Sequence, residues 1–275
     1  MDKINWYPGH MKKTRELIQE NLSLVGAVCE VLDARIPFSS RNPSISELTS
    51  NKKKIIVLTK TDLADPNKLK IAEEKLRKSA DFVVSVNANS GEGIKQLTNA
   101  LLKIENQLNE GRERKKNLRL MIVGIPNVGK SSLINRLAGG KVAKTGDKPG
   151  ITRGKQWISI EGNMMLLDTP GILWPNLDDQ NVALNLAFCG SIKDEIMDID
   201  TLGLRMIERL SEIEPEKLAQ RYKLSEIDDD PLVTMEAIAK NRGFILPGKR
   251  IDYTRTAKTV LDEFRSATIG RISLE

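Results

Sequence analysis

Sulfur chemistry and long apolar runs are what this chain has least of. It carries two cysteines, Cys29 and Cys189, in 275 residues, too few for a disulfide framework. Cys29 lies in the apolar run 26–33 and reads as a small buried side chain. No stretch approaches the ~20 apolar residues that cross a bilayer. The opening decapeptide ending at His10 has no apolar core of the secretion-signal kind. The cytoplasm is the expected compartment, and no membrane is expected as a partner. Histidine is scarcer still, since His10 is the only one. Repeats and low-complexity tracts are also missing, which argues against a solenoid.

What is there is ordinary globular material. Hydrophobic residues make up 40% of the chain and charged residues 29%, and a length of 275 residues is enough for one large domain plus a smaller one. The net charge of +6 is compatible with a nucleic-acid partner, because phosphates reward clustered Lys and Arg. Many basic proteins bind none, so distribution matters more than the sum.

Strand and helix signals alternate over the first two thirds. Residues 26–33 read as a strand with an acidic end, and residues 54–59 as a short apolar, β-branched run of the kind buried on both faces of a sheet. Asp65-Pro66 opens a helix over 66–79, with Asp65 as its N-cap. A strand at 82–86 and a helix over 91–109 follow; Ile94, Leu97, Leu101, Leu102, Ile104 and Leu108 are assigned to the buried face. A charged linker (109–117) leads to a strand from 118 to 124. Two more strands, 156–160 and 163–168, are joined at Glu161-Gly162. This order predicts a mostly parallel sheet with helices on both faces. After about residue 176 strand signals vanish, and helical spacing is broken only near Pro215, Asp230-Pro231 and Pro247-Gly248. The expected organisation is an α/β domain over 1–175 and a small all-α domain over 176–275.

The strongest chemical signal is Gly124-Ile125-Pro126-Asn127-Val128-Gly129-Lys130-Ser131, between a strand and a helix. Its glycines let successive backbone N–H groups face phosphate oxygens. Lys130 brings a cation to the β- and γ-phosphates, Ser131 offers a hydroxyl to Mg²⁺, and Ser132 continues the phosphate cradle. Thr59-Lys60-Thr61-Asp62 follows a strand and suits a base reader. The Asp62 carboxylate accepts from guanine N1–H and the exocyclic amine, and adenine has no such donor pair on that edge. Thr59 stands where the usual residue is Asn, so a weaker tether to the phosphate loop is expected. Asn87-Ala88-Asn89-Ser90-Gly91-Glu92-Gly93 fits a second base loop, with the Ala88 N–H toward the guanine carbonyl. Asp168-Thr169-Pro170-Gly171 ends a later strand; Asp168 suits Mg²⁺ through water, and the Gly171 N–H suits the γ-phosphate. Thr152 is the candidate switch threonine for Mg²⁺, with Thr145 second.

The base-reading tetrad precedes the phosphate loop, which inverts the ordinary order of a guanine-nucleotide-binding domain. With Trp6-Tyr7-Pro8-Gly9-His10-Met11, Asp33-Ala34-Arg35-Ile36-Pro37 and Gly270-Arg271-Ile272-Ser273-Leu274-Glu275, the chain resembles the ribosome biogenesis GTPase A family. The resemblance implies a circularly permuted P-loop GTPase that binds GTP and GDP and acts on the large ribosomal subunit precursor through its rRNA. Many GTPases orient the attacking water with a Gln after the D-x-x-G segment. Here that position is Ile172, so slow intrinsic hydrolysis is expected. Two replacements present themselves. Asn127 sits where cation-activated relatives bind K⁺, or else simply stabilises its loop. His10 positions the water on the ribosome, as the resemblance suggests, or contacts rRNA in a basic, aromatic arm.

The segment 240–258 holds Lys240, Arg242, Lys249, Arg250, Arg255 and Lys258, with Phe244 and Tyr253 interleaved. It suits phosphate contact with some base stacking, or is a solvated helix face. Two rival readings remain beside an assembly GTPase: a ribosome-associated GTPase of translation or stress, without an evident β-barrel domain, and an RNA-binding scaffold with incidental hydrolysis. The permutation also leaves residues 168–171 as the last catalytic segment before the helical part.

Overall fold

The computed structural model of the protein describes residue 16 and residues 18–140, 156–169, 171, 173 and 179–275. Six strands form one sheet: β1 (Ala27–Asp33), β2 (Lys53–Thr59), β3 (Phe82–Ser85), β4 (Arg119–Val123), β5 (Gln156–Ile160) and β6 (Met164–Asp168). Their order is β3-β2-β1-β4-β6-β5. All neighbours are parallel except β5, which folds back on β6.

Alternation along β1 explains the two-sided core. Ala27, Cys29 and Val31 share one cluster with Leu97, Leu101 and Ile104 of α3 (Ile94–Asn109) and Leu133 and Ile134 of α4 (Lys130–Leu137). Val28 packs on the other side with Ile18, Ile45, Met121 and Leu167, and Leu32 packs with Ile56, Leu58 and Leu76. Side chains of period two thus meet helices on both faces. Ile45 comes from the short α1 (Pro43–Leu48), and Leu76 from α2 (Pro66–Leu76). The Asp65 side chain accepts from the Asn67 and Lys68 N–H groups and so caps α2. Leu102, assigned to the buried face of α3, is exposed; Ala100 is buried there instead. The burying stripe is narrower than the run of leucines.

Strands β1 and β4 are neighbours, yet β2 and β3 extend the sheet one way and β6 and β5 the other. That divergence puts a topological switch point at the carboxyl ends of β1 and β4, the place where open α/β sheets bind ligands. The phosphate loop opens from β4 directly into it.

The C-terminal third holds α5 (Gln180–Phe188), α6 (Ile199–Ile213), α7 (Pro215–Tyr222), α8 (Pro231–Arg242) and α9 (Tyr253–Arg265). Pro215 and Pro231 begin α7 and α8, where a missing N–H costs nothing. One feature differs from the sequence expectation. A hairpin, β7 (Ile245–Leu246) with β8 (Arg250–Ile251), interrupts the helices. Strands of two residues are too short to give a periodic signal, and Pro247-Gly248 is their turn. The apolar cluster under α3 and α4 continues without a break through Leu186, Met206, Leu218, Val260 and Phe264.

Candidate guanine-nucleotide site

The phosphate loop owes its shape to two close approaches. Gly124 has φ +154, and a Cβ there would lie 2.5 Å from the Val31 carbonyl oxygen. Across the loop, a Cβ on Gly171 would lie 2.8 Å from the Pro126 nitrogen and 2.9 Å from the Lys130 Nζ. The segment after β6 thus meets the phosphate loop at contact distance, and only glycine fits.

Lys130 begins α4 and is buried. Its Nζ donates to the Gly124 and Ile125 carbonyls at 3.0 and 2.8 Å. An ammonium has three donors, so these two anchor it and leave one for a phosphate. Burial pulls its pKa down to about 8, against the opposing pull of the Asp168 carboxylate. Asp168 itself is buried at the end of β6. Ser131 and Ser132 follow in the first turn of α4, both half-buried.

Thr59 retains the tether that its replacement of Asn had put in question. Its hydroxyl lies against the Val128 carbonyl oxygen of the phosphate loop and 2.9 Å from that of Leu32. Val128 is fully buried, and Gly129 takes a left-handed φ of +91 beside Thr59. Base loop and phosphate loop are therefore joined directly. Thr61 is buried, and Asp62 is exposed.

The second base loop is shaped by its own Asn. The Asn87 Oδ1 accepts from the Asn89 N–H at 2.9 Å, closing an Asx turn around Ala88. Arg136 of α4 donates to the Ser90 carbonyl at 2.8 Å, which ties this loop to the phosphate-loop helix.

A buried ion cluster lies beneath the base loop. Asp33, paired with Thr59 in register, meets the Arg35 guanidinium at 2.8 and 3.0 Å and the Lys60 Nζ at 2.9 Å. Burial alone would raise the Asp33 carboxyl. Arg35 and then Lys60 outweigh it and hold the group well below the usual carboxylate range. Arg35 reaches on to α9: its guanidinium stands 5.5 Å from the Phe264 ring centre and donates to the Arg265 carbonyl at 3.3 Å. In the sequence Asp33 stands out as the acidic end of a strand, and Arg35 only through the family resemblance. A carboxylate two residues before an arginine at a strand end was the available signal.

Asn127 has φ +59, and its Nδ2 donates to the Gly190 carbonyl at 2.7 Å. The side chain assigned to K⁺ or to loop stability thus links the phosphate loop to the residues after α5. Cys189 beside it is buried, and burial pushes its thiol up to about 12.

The basic segment is divided. Lys240, Lys249, Arg250, Arg255 and Lys258 are exposed. Arg242 instead pairs with Glu263 and lies 5.6 Å from the Tyr222 ring centre. Lys240 is 3.5 Å from Glu236. Phe244 is buried with the Arg255 guanidinium 4.5 Å above its ring, so its face is taken by an arginine rather than open to a base. His10, Thr145, Thr152, Ile172, Trp174 and Pro175 lie outside the described residues.

Comparison with known proteins finds GTPases. The family model for 50S ribosome-binding GTPases matches residues 119–239, and that for RsgA GTPases matches residues 45–178. The chain is 42% identical to ribosome biogenesis GTPase A of Bacillus cereus, over 99% of this chain and 93% of that protein. It is 43% identical to the protein of the same name from Priestia megaterium, over 99% and 96%. Mitochondrial ribosome-associated GTPase 1 of mouse is 34% identical, over 100% and 90%. The GDP-bound structure of YlqF from Thermotoga maritima superposes with a TM-score of 0.68 at 30% identity, covering 94% of this chain and 98% of that one. The GNP-bound form gives 0.67 at 29% identity, covering 96% and 97%. With relatives matched over nearly its whole length, and with the strands that lead to its candidate base loops ahead of its phosphate loop, the chain belongs to the ribosome biogenesis GTPase A family of circularly permuted GTPases.

Proposed function

We propose that this GTPase acts at a late step of large ribosomal subunit assembly, in the cytoplasm, binding the precursor in its GTP state and leaving on hydrolysis. The observation that carries the reading is the joining of phosphate loop, base loop and helical part through Thr59–Val128, Asn127–Gly190 and Arg35–Phe264. A γ-phosphate that engages the Gly171 N–H acts on a segment already touching Pro126 and Lys130. Gln180, the start of α5, follows Gly171 by nine residues, so the segment leads directly into the helical part.

Ser131 would hold Mg²⁺ through its hydroxyl and Asp168 through water, and Thr152 is the proposed switch ligand. When bound, Mg²⁺ neutralises charge on the β- and γ-phosphates. Lys130 adds its remaining donor to the same oxygens. Asn127, whose Nδ2 donates to Gly190, is the residue that would hold K⁺, an ion that would supply charge in place of an arginine finger. Asp62 reads the guanine edge, and the Ala88 N–H its carbonyl. His10 positions the attacking water on the ribosome, where Ile172 cannot. Lys240, Lys249, Arg250, Arg255 and Lys258 contact rRNA phosphates; Arg242 supports them by holding α8 to α9.

Co-sedimentation with isolated subunits tests the cycle. Retention on the large subunit with a non-hydrolysable GTP analogue, and release with GDP, is the expected result. Equal retention in both nucleotide states, together with normal subunit maturation by Lys130→Ala, indicates a scaffold instead.

A further inference from the structure

The residues after α9 pass along the base loop and bond to it repeatedly. The Arg271 guanidinium donates from Nη2 to the Thr61 carbonyl at 2.9 Å and from Nε to the Ala64 carbonyl at 2.8 Å. These two acceptors bracket Asp62. The Ile272 N–H donates to the Leu63 carbonyl at 3.1 Å, and the Asp65 N–H donates to the Ser273 hydroxyl at 3.0 Å. On its far side the segment is held by the helical part, where the Lys217 Nζ donates to the Arg271 carbonyl and Arg209 donates to that of Leu274, both at 3.0 Å.

We infer that Arg271 is a positioning residue for guanine recognition, fixing the backbone on both sides of Asp62 so that both carboxylate oxygens meet the base edge. The inference rests on the reading of Asp62 as the guanine-binding carboxylate. Three physical points support it. The loop starts from Lys60 at φ +58, a conformation that costs energy for a non-glycine residue and persists only where its surroundings enforce it. Asp62 is exposed, so no packing around its own side chain aims it; its direction is inherited from the backbone. A planar guanidinium fork is suited to two carbonyls at fixed separation, whereas an ammonium is a point donor. Base discrimination is thereby wired to α6 and α7 through Arg209 and Lys217.

The test compares the affinities of GDP and IDP. Hypoxanthine lacks the exocyclic amine, so the ratio of the two affinities reports whether the second Asp62 oxygen is aligned. Arg271 is exposed, and truncating it leaves the core intact. Arg271→Ala is expected to lower the GDP-over-IDP ratio by about tenfold, the equivalent of one hydrogen bond. Arg271→Lys should restore part of it, and Ser273→Ala should lower it by a smaller factor. Asp62→Ala should bring the ratio close to unity. A wild-type ratio in Arg271→Ala, even with both nucleotides bound more weakly, overturns the positioning role while leaving Asp62 as the reader. A wild-type ratio in Asp62→Ala overturns the base reading itself.

Discussion

The two halves of the proposed nucleotide site, a base-reading half and a phosphate half, are held in different ways. The base-reading half is fixed from a distance: Asp33, Arg35 and Lys60 form a buried cluster under it, and residues 271–274 bond along it from the far end of the chain. The phosphate half is held more locally, with Lys130 turned onto the carbonyls of its own loop, Asn127 and Arg136 reaching to Gly190 and Ser90, and Thr59 meeting it from the base half. The base is the same in GTP and GDP, so its reader gains from being rigid. The phosphates differ, so their cradle must be able to report a change. Rigidity is placed where the ligand is constant.

Removing the anchor of the rigid half should have the largest effect. Asp33→Ala leaves the Arg35 guanidinium buried without its carboxylate and is expected to cost about 3–5 kcal/mol of stability, read by denaturant unfolding. Because the folded-state pKa of Asp33 is depressed, its contribution is complete above the ordinary carboxylate value near ~4 and fades as the pH falls below it. Wild-type stability should therefore decline more steeply below about pH 5 than that of Asp33→Ala. Matching slopes would show that the cluster does not hold the loop through charge.

Next in size is the phosphate half. Lys130→Ala should weaken GTP binding by about a hundredfold, the worth of a charge-assisted bond in a buried site, while its thermal midpoint stays close to wild type. An equally large loss of stability would mean that the two halves are not separately held. Thr59→Val removes the link between them and should cost about 1 kcal/mol, appearing as a several-fold faster release of GDP.

Much of the contrast was legible in the sequence, but unevenly. The phosphate half could be read because its chemistry demands particular residues at fixed spacing: Gly124, Gly129, Lys130 and Ser131 have few substitutes. Asp65 as a cap and the buried strands were legible for the same local reasons. The supports of the base half were not. Arg271 lies 209 positions from Asp62 in sequence, and no local pattern marks it. Arg242 read as one cation among six until Glu263 and Tyr222 came against it. Sequence gives a charge but not its partner. The hairpin of β7 and β8 escaped because two residues carry no period.

The smallest effect belongs to the exposed basic segment, which tests the proposed rRNA surface. Lys249→Ala should reduce the slope of log affinity for rRNA against log salt by about 0.7 to 0.9, without altering GTP binding. Arg242→Ala should instead lower stability by about 1–3 kcal/mol, since Glu263 loses a partner.

The most direct measurement is GTP turnover with and without isolated large and small ribosomal subunits, in K⁺ and in Na⁺. The account predicts slow turnover alone, strong stimulation by the large subunit and not the small one, and a higher rate in K⁺. A rate indifferent to the large subunit would contradict it.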